Sequence, residues 1–320
     1  MRQYFTEMKT VEITVINYPT ASQSAVHGLA ETMMLTNTIC QQLDVSVRFH
    51  VNIHTLEELD LERGVQVVVL PPCISDDFYT REHTMLNRYL STMKQQGAVL
   101  ASACVGAFIL ASGGFLDNKF CTTHWRLSES FRTEFPNVKL NDNAIVVNEG
   151  SVITAGGRMA WLDLVFEVIS LFSSPAIAQQ LSKEMVIDIG YREQRFYHQF
   201  IPKRDHGDEL VLKVQNYLEE HYAKPLSMAA IAERYFVSSR TLQRRFTKTL
   251  GSTLVQYLQK LRLHNACQLI ELTKKGISEI SYEVGYQDVS AFRKTFVREY
   301  GLTPTEFRKR FSTDSVTEME

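Results

Sequence analysis

Apolar and polar residues follow two different rhythms along the chain, and the change of rhythm divides it. Up to about residue 190, short apolar runs (VEITVINY, VSVRFHVNIH, VQVVVLPP, AVLASAC) are separated by stretches of helical periodicity at 25–42 and 80–96. Such alternation predicts a parallel sheet covered by helices, an α/β domain of flavodoxin-like layout. VSVRFHVNIH alternates with period two, as a half-exposed edge strand does. QVVVL is continuous, as a buried central strand is. NAIVVNEGSVITAGG predicts two short strands around a turn, followed by a helix over MAWLDLVFEVISLF and a closing helix at 176–187.

From residue 208 the strand signal ends, and amphipathic helices follow one another between cap residues. A repeat with an offset of 50 runs through this part: Ser238 matches Asp288, Leu242 matches Phe292, Arg244 matches Lys294, Phe246 matches Phe296 and Gly251 matches Gly301. Each copy predicts a short helix, a tight turn and a second helix, with Ser227, Ser238 and Asp288 as N-caps and Gly251 and Gly301 as terminators. That is the layout of a helix-turn-helix, so the C-terminal domain is predicted to be all-α with two such units. The domains expected are residues 10–190 and 208–312, with a linker at 191–207 and an acidic tail at 313–320.

Charge sharpens the division. Residues 1–205 carry 17 Lys and Arg against 22 Asp and Glu, whereas residues 206–312 carry 17 against 11. A basic helical domain behind an acidic one points to a polyanion, here double-stranded DNA. In the first reading helix, Leu242 and Phe246 face inward, leaving Arg240, Thr241, Gln243 and Arg244 outward. In the second, Phe292 and Phe296 face inward, leaving Ser290, Ala291, Arg293 and Lys294 outward. Arg and Gln can each bond a base edge bidentately. Arg245, Lys248, Arg298 and Lys309 are expected at phosphates. The helix between the copies, about 19 residues or roughly 28 Å long, suits successive major grooves about 34 Å apart.

The five cysteines are widely spaced with no metal-ligand pattern, so neither disulfide nor metal site is expected, and no cofactor. No stretch reads as a signal peptide or a membrane span, which leads to an expectation of a cytoplasmic protein without a membrane partner. Cys104, in LASACVGAF, follows a strand and precedes a helix. This is the place of a nucleophile elbow, where helix-start N–H groups activate a thiol.

Two resemblances follow from these residues. LSMAAIAERYFVSSRTLQRRFTKTLG through EVGYQDVSAFRKTFVREYGLTPTEFRKRF resembles the DNA-binding domain of AraC/XylS-family regulators. That family's base-reading positions fall on Arg240, Gln243, Arg244, Ser290, Ala291 and Lys294. SACVGAFILASGGFLDNKFCTTHW is similar to the PfpI-like branch of the class I glutamine amidotransferases, and most of all to GlxA-type regulators that join both domains. The resemblance implies a transcription activator, a homodimer working with RNA polymerase, that senses a small molecule such as an amino acid or a quaternary amine. Departures from the peptidase pattern imply no catalysis. Val105 replaces a histidine, Ala25 stands where an acid is expected, Glu31 faces elsewhere, and His124 lacks an orienting carboxylate. Cys104 and His124 are then vestiges of catalysis that line a ligand site with Trp125, while Trp161 reads as packing. The alternatives are a cysteine amidohydrolase or peptidase held on DNA, and a first domain serving only dimerisation.

Overall fold

The computed structural model describes residues 8–75 and 78–312; the acidic tail expected at 313–320 lies outside them. The chain divides into two compact units, Met1–Arg195 and Phe196–Glu320.

In the first unit the order is β1 (Lys9–Ile16), α1 (Gln23–Gln42), β2 (Val47–His54), β3 (Val67–Leu70), α2 (Thr84–Gln95), β4 (Val99–Ala103), α3 (Gly106–Ser112), β5 (Phe120–Cys121), α4 (Ser128–Glu134), β6 (Lys139–Leu140), β7 (Val146–Asn148), β8 (Val152–Ala155), α5 (Trp161–Phe172) and α6 (Pro175–Glu184). The main sheet runs β2-β1-β3-β4-β8-β7, all parallel except the β7–β8 hairpin. The alternating strand β2 is an edge, and the unbroken apolar β3 lies inside, buried at every position. A two-residue pair, β5 and β6, forms a separate parallel ladder. Such short strands leave no period to read. α1 and α5 pack closely, because a Cβ on Gly28 would stand 2.4 Å from the Trp161 ring. Trp161 is therefore helix packing.

The second unit is helical: α7 (Glu209–His221), α8 (Met228–Arg234), α9 (Ser239–Leu250), α10 (Leu254–Leu272), α11 (Ile277–Glu283), α12 (Val289–Tyr300) and α13 (Pro304–Phe311). It has two apolar cores, one for each repeat. α10 serves both, giving Leu254, Tyr257, Leu258 and Leu261 to the first and Leu263, Ala266, Cys267 and Ile270 to the second.

The segment expected as a linker, 191–207, is tied down along its length. In the first unit Arg192 pairs with Asp163 on α5 and Glu193 bridges Ala144. In the second, the Phe200 ring meets Tyr257 edge-on, and the Lys203 carbonyl accepts from Gln215. His206 also bonds Gln215, which is fully buried and needs these partners. No helix among the described residues is long and apolar enough to cross a membrane.

Candidate functional site

Two places carry the chemistry predicted from sequence. The first is the C-terminal edge of the parallel sheet, the usual ligand edge of open α/β folds. Between β4 and α3, Cys104 has φ +56, a left-handed conformation costly for a side chain of this kind. Its N–H donates to the Ala155 carbonyl at 2.7 Å, and its own carbonyl accepts the Thr123 hydroxyl at 2.8 Å. The strand, sharp turn and helix of an elbow are thus all present. The thiol, however, is buried, and burial pushes its pKa up to about 12, although the Val105 N–H and the charge of Arg158 pull it down. Burial thus favours the thiol form of Cys104.

The Arg126 N–H donates to Nδ1 of His124 at 3.2 Å. Ala25 is fully buried inside α1, and Glu31 is exposed on that helix. Trp125 lies beside the His124 ring with the Arg126 guanidinium over its own ring, 5.9 Å from the centroid. A cation already covers that aromatic ring.

Beside the groups that hold the Cys104 turn lies a buried amide. It belongs to Gln194, a residue the sequence did not single out, which bonds Thr123, the residue that holds the Cys104 carbonyl. Its Nε2 lies 2.9 Å from each of Thr122 Oγ1, the Thr123 carbonyl and the Ala144 carbonyl, and its Oε1 accepts from the Trp125 N–H at 3.1 Å. Gly156 makes room for it, since a Cβ there would stand 2.0 Å from Nε2. Two hollows of the first unit lie elsewhere, one inside the core against Ile13 and Leu164 and one near Asn37 and Arg48, where β2 begins.

The second place is the repeated helical unit. Ser238 Oγ accepts from the Thr241 N–H and Asp288 Oδ1 from the Ser290 N–H, while Gly251 (φ +67) and Gly301 (φ +70) close α9 and α12. The repeat extends one step further, to the capping boxes Thr253/Gln256 and Thr303/Glu306. Arg240 and Arg244 on α9, and Ser290, Ala291, Arg293 and Lys294 on α12, are exposed, as is Lys248. Thr241 is half-buried and its hydroxyl accepts from Ser238, so it serves the cap. Gln243 donates to Thr247 along its own helix.

Arg245 departs from the expectation. Its guanidinium grips both oxygens of Asp208, Nε to Oδ2 at 3.0 Å and Nη2 to Oδ1 at 2.6 Å. Asp208 also caps α7 through the Val211 N–H. Arg245 therefore joins α9 to the N-cap of α7, a task that its charge alone did not suggest.

The model of the DJ-1/PfpI family matches residues 11–171, half of the chain. The chain belongs to the DJ-1/PfpI family. A helix-turn-helix domain matches residues 231–310, so a DJ-1/PfpI domain precedes an AraC-type helix-turn-helix domain. The chain is similar to the HTH-type transcriptional regulator CdhR of Pseudomonas aeruginosa, 26% identical over 70% of this chain and 66% of the relative. It is likewise similar to the HTH-type transcriptional regulator GlxA of Rhizobium meliloti, 28% identical over 71% of this chain and 69% of the relative. An AraC family transcriptional regulator of Pseudomonas putida aligns with 55% of this chain and 99% of its own at a TM-score of 0.47 and 14% identity. The matched part of this chain thus spans about two thirds of the length of CdhR. Within the DJ-1/PfpI domain, the cysteine turn is strained and its thiol buried.

Proposed function

We propose that the chain is a transcription regulator that reads operator DNA through α9 and α12 and responds to a small molecule at the elbow edge of its DJ-1/PfpI domain. The observation that carries this is the doubled unit: two helices of equal length, capped and terminated at matching positions, each presenting polar and basic residues from its first turns. The 19-residue α10 that joins them is roughly 28 Å long, close to the repeat of the major groove. Arg240, Gln243 and Arg244, with Ser290, Ala291 and Lys294, are the proposed base readers, and Lys248 and Arg293 the proposed phosphate contacts. The regulators CdhR and GlxA support this reading through their likeness over 70% and 71% of the chain. An activator acting as a homodimer with RNA polymerase in the cytoplasm is the fuller form of the proposal.

The same reading makes the first domain a sensor and not an enzyme, with Cys104, His124 and Trp125 around the effector. The buried thiol, with its raised pKa, supports it. Cysteine hydrolysis is the competing reading, favoured only by the turn at Cys104. Selection of duplexes from a random pool by the full chain, followed by footprinting, tests the proposal. Two protected major-groove stretches one helical turn apart are expected. Enrichment of no sequence, or protection of a single stretch, overturns it.

A further inference from the structure

Gln194 is polar, comes from a stretch with no periodicity, and is 2% exposed. Its carboxamide is bonded at both ends by groups 50 to 72 residues away in sequence, at Thr122, Thr123, Trp125 and Ala144. Together they form a socket of the right polarity for a primary amide: acceptors around the nitrogen, an N–H at the oxygen, and Gly156 leaving the space open. The socket adjoins the elbow on two sides, since Thr123 holds the Cys104 carbonyl and Ala155, next to Gly156, holds the Cys104 N–H. The Thr122 hydroxyl donates to the Ala144 carbonyl at 2.9 Å, so its hydrogen and the two amide hydrogens together serve the three acceptors. The tethered amide therefore occupies the socket as a bound primary amide would.

Gln194 also stands at a joint. With Arg192 on Asp163, Glu193 on Ala144 and the Gln194 N–H on the Asn143 carbonyl at 2.7 Å, residues 192–194 form a strap across the first unit, and the second unit begins at Phe196. Undocked, residues 192–194 would lengthen the free chain that leads into the second unit.

We propose that the Gln194 carboxamide is an internal ligand of this socket, and that a small molecule bearing a primary carboxamide replaces it and frees the strap that leads into the second unit. This inference rests on the sensor reading, for which it names the ligand chemistry and the moving part.

Propionamide, which reproduces the Gln194 side chain, is the probe, and propionate is its control. In the full-length chain, Gln194→Gly should bind propionamide at least about tenfold more tightly than the wild type, because the tethered competitor is gone. Propionate, which has no N–H for the three acceptors, should bind neither protein. Trypsin reads the strap through cleavage after Arg192 and Arg195, located by mass spectrometry. Cleavage should be slow in the wild type, fast in Gln194→Gly, and accelerated in the wild type by saturating propionamide. Should Gln194→Gly fail to fold, Gln194→Glu keeps the shape, loses both N–H groups, and should show the same fast cleavage. Equal binding of propionamide and propionate, or no acceleration in the wild type by propionamide, overturns the proposal. Neither assay uses DNA, so failure of the DNA-binding reading would appear separately, as absence of an enriched operator.

Discussion

Phe236 and Gly285 occupy the same point of the two helix-turn-helix repeats. The Phe236 N–H donates to the Glu233 carbonyl, and the Gly285 N–H to that of Tyr282, both at 3.0 Å, where the short helix ends. Both backbones are left-handed, with φ +54 at Phe236 and +92 at Gly285. A glycine adopts this conformation freely, whereas a phenylalanine is strained by it. Phe236 gains little in return, being 96% exposed. We predict that Phe236→Gly stabilises the protein by roughly 0.5 kcal/mol, the relief of strain less the added entropy of the unfolded chain. Gly285→Ala should destabilise by about 2 kcal/mol or more, since its Cβ would meet the Ala223 carbonyl oxygen at 2.7 Å as well as the strained φ. Chemical denaturation of the two variants checks both signs.

The ion pair between Asp208 and Arg245 gives a pH dependence. Hydrogen bonding from Arg245 is the largest cause that holds the Asp208 carboxyl below its ordinary range, against some desolvation, and the Val211 N–H adds to it. A carboxyl depressed in the folded state contributes stability above its unfolded pKa of about 3.9, and that contribution is lost as pH falls through the lower folded value. Asp208→Asn keeps a capping oxygen and removes the charge. We expect it to be less stable than the wild type at pH 7, with the difference closing below about pH 4. Asp208→Ala should lose about a further 1 kcal/mol with the cap. A gap that stays constant from pH 7 to pH 3 would show that the ion pair contributes nothing.

Much of this architecture was legible because local patterns carry it. The period-two run of β2 marked an edge and the unbroken VVVL of β3 a centre. Ser238, Asp288, Gly251 and Gly301 marked the bounds of α9 and α12 before any tertiary contact was known. The features that were not legible depend on partners distant in sequence. Arg245 has the charge and spacing of a phosphate contact, and only Asp208, 37 residues earlier, gives it another task. Gln194 is an unremarkable polar residue until the fold brings Thr122, Thr123 and Ala144 around its amide. The ties of the 191–207 segment were hidden for the same reason, since Phe200 and Lys203 acquire their places only against Tyr257 and Gln215.

The thiol of Cys104 should be inert in the folded protein. With a pKa pushed up to about 12, roughly one molecule in ten thousand carries the thiolate at pH 8. Iodoacetamide should label Cys104 only after denaturant unfolds the first unit, as followed by mass spectrometry of the tryptic peptide. Cys104→Ala should remove no turnover and leave the DNA affinity of the full chain within about twofold, a change of under 0.5 kcal/mol. Labelling of native protein at the rate of a free thiol, or loss of a measurable amidase activity in the variant, would restore the enzyme reading.

The two reading helices can be tested by separating specificity from affinity. Arg244 is exposed two residues after the buried Leu242, near the start of α9, where a recognition helix meets base edges. A bidentate contact to a base discriminates by about 1–3 kcal/mol, whereas a phosphate contact weakens all sequences alike. Arg244→Ala should therefore lower affinity for the selected operator by about tenfold or more while hardly changing affinity for a scrambled duplex. Lys248, one turn further along, should do the reverse. Its replacement by Ala should weaken both duplexes evenly and reduce the slope of log affinity against log salt by about one. Arg245→Ala supplies the internal control. Because its charge is spent on Asp208, it should lower stability and leave the salt slope unchanged. Titration of the three variants on both duplexes at several salt concentrations decides the matter, and an equal loss on both duplexes for Arg244→Ala would remove α9 from the major groove.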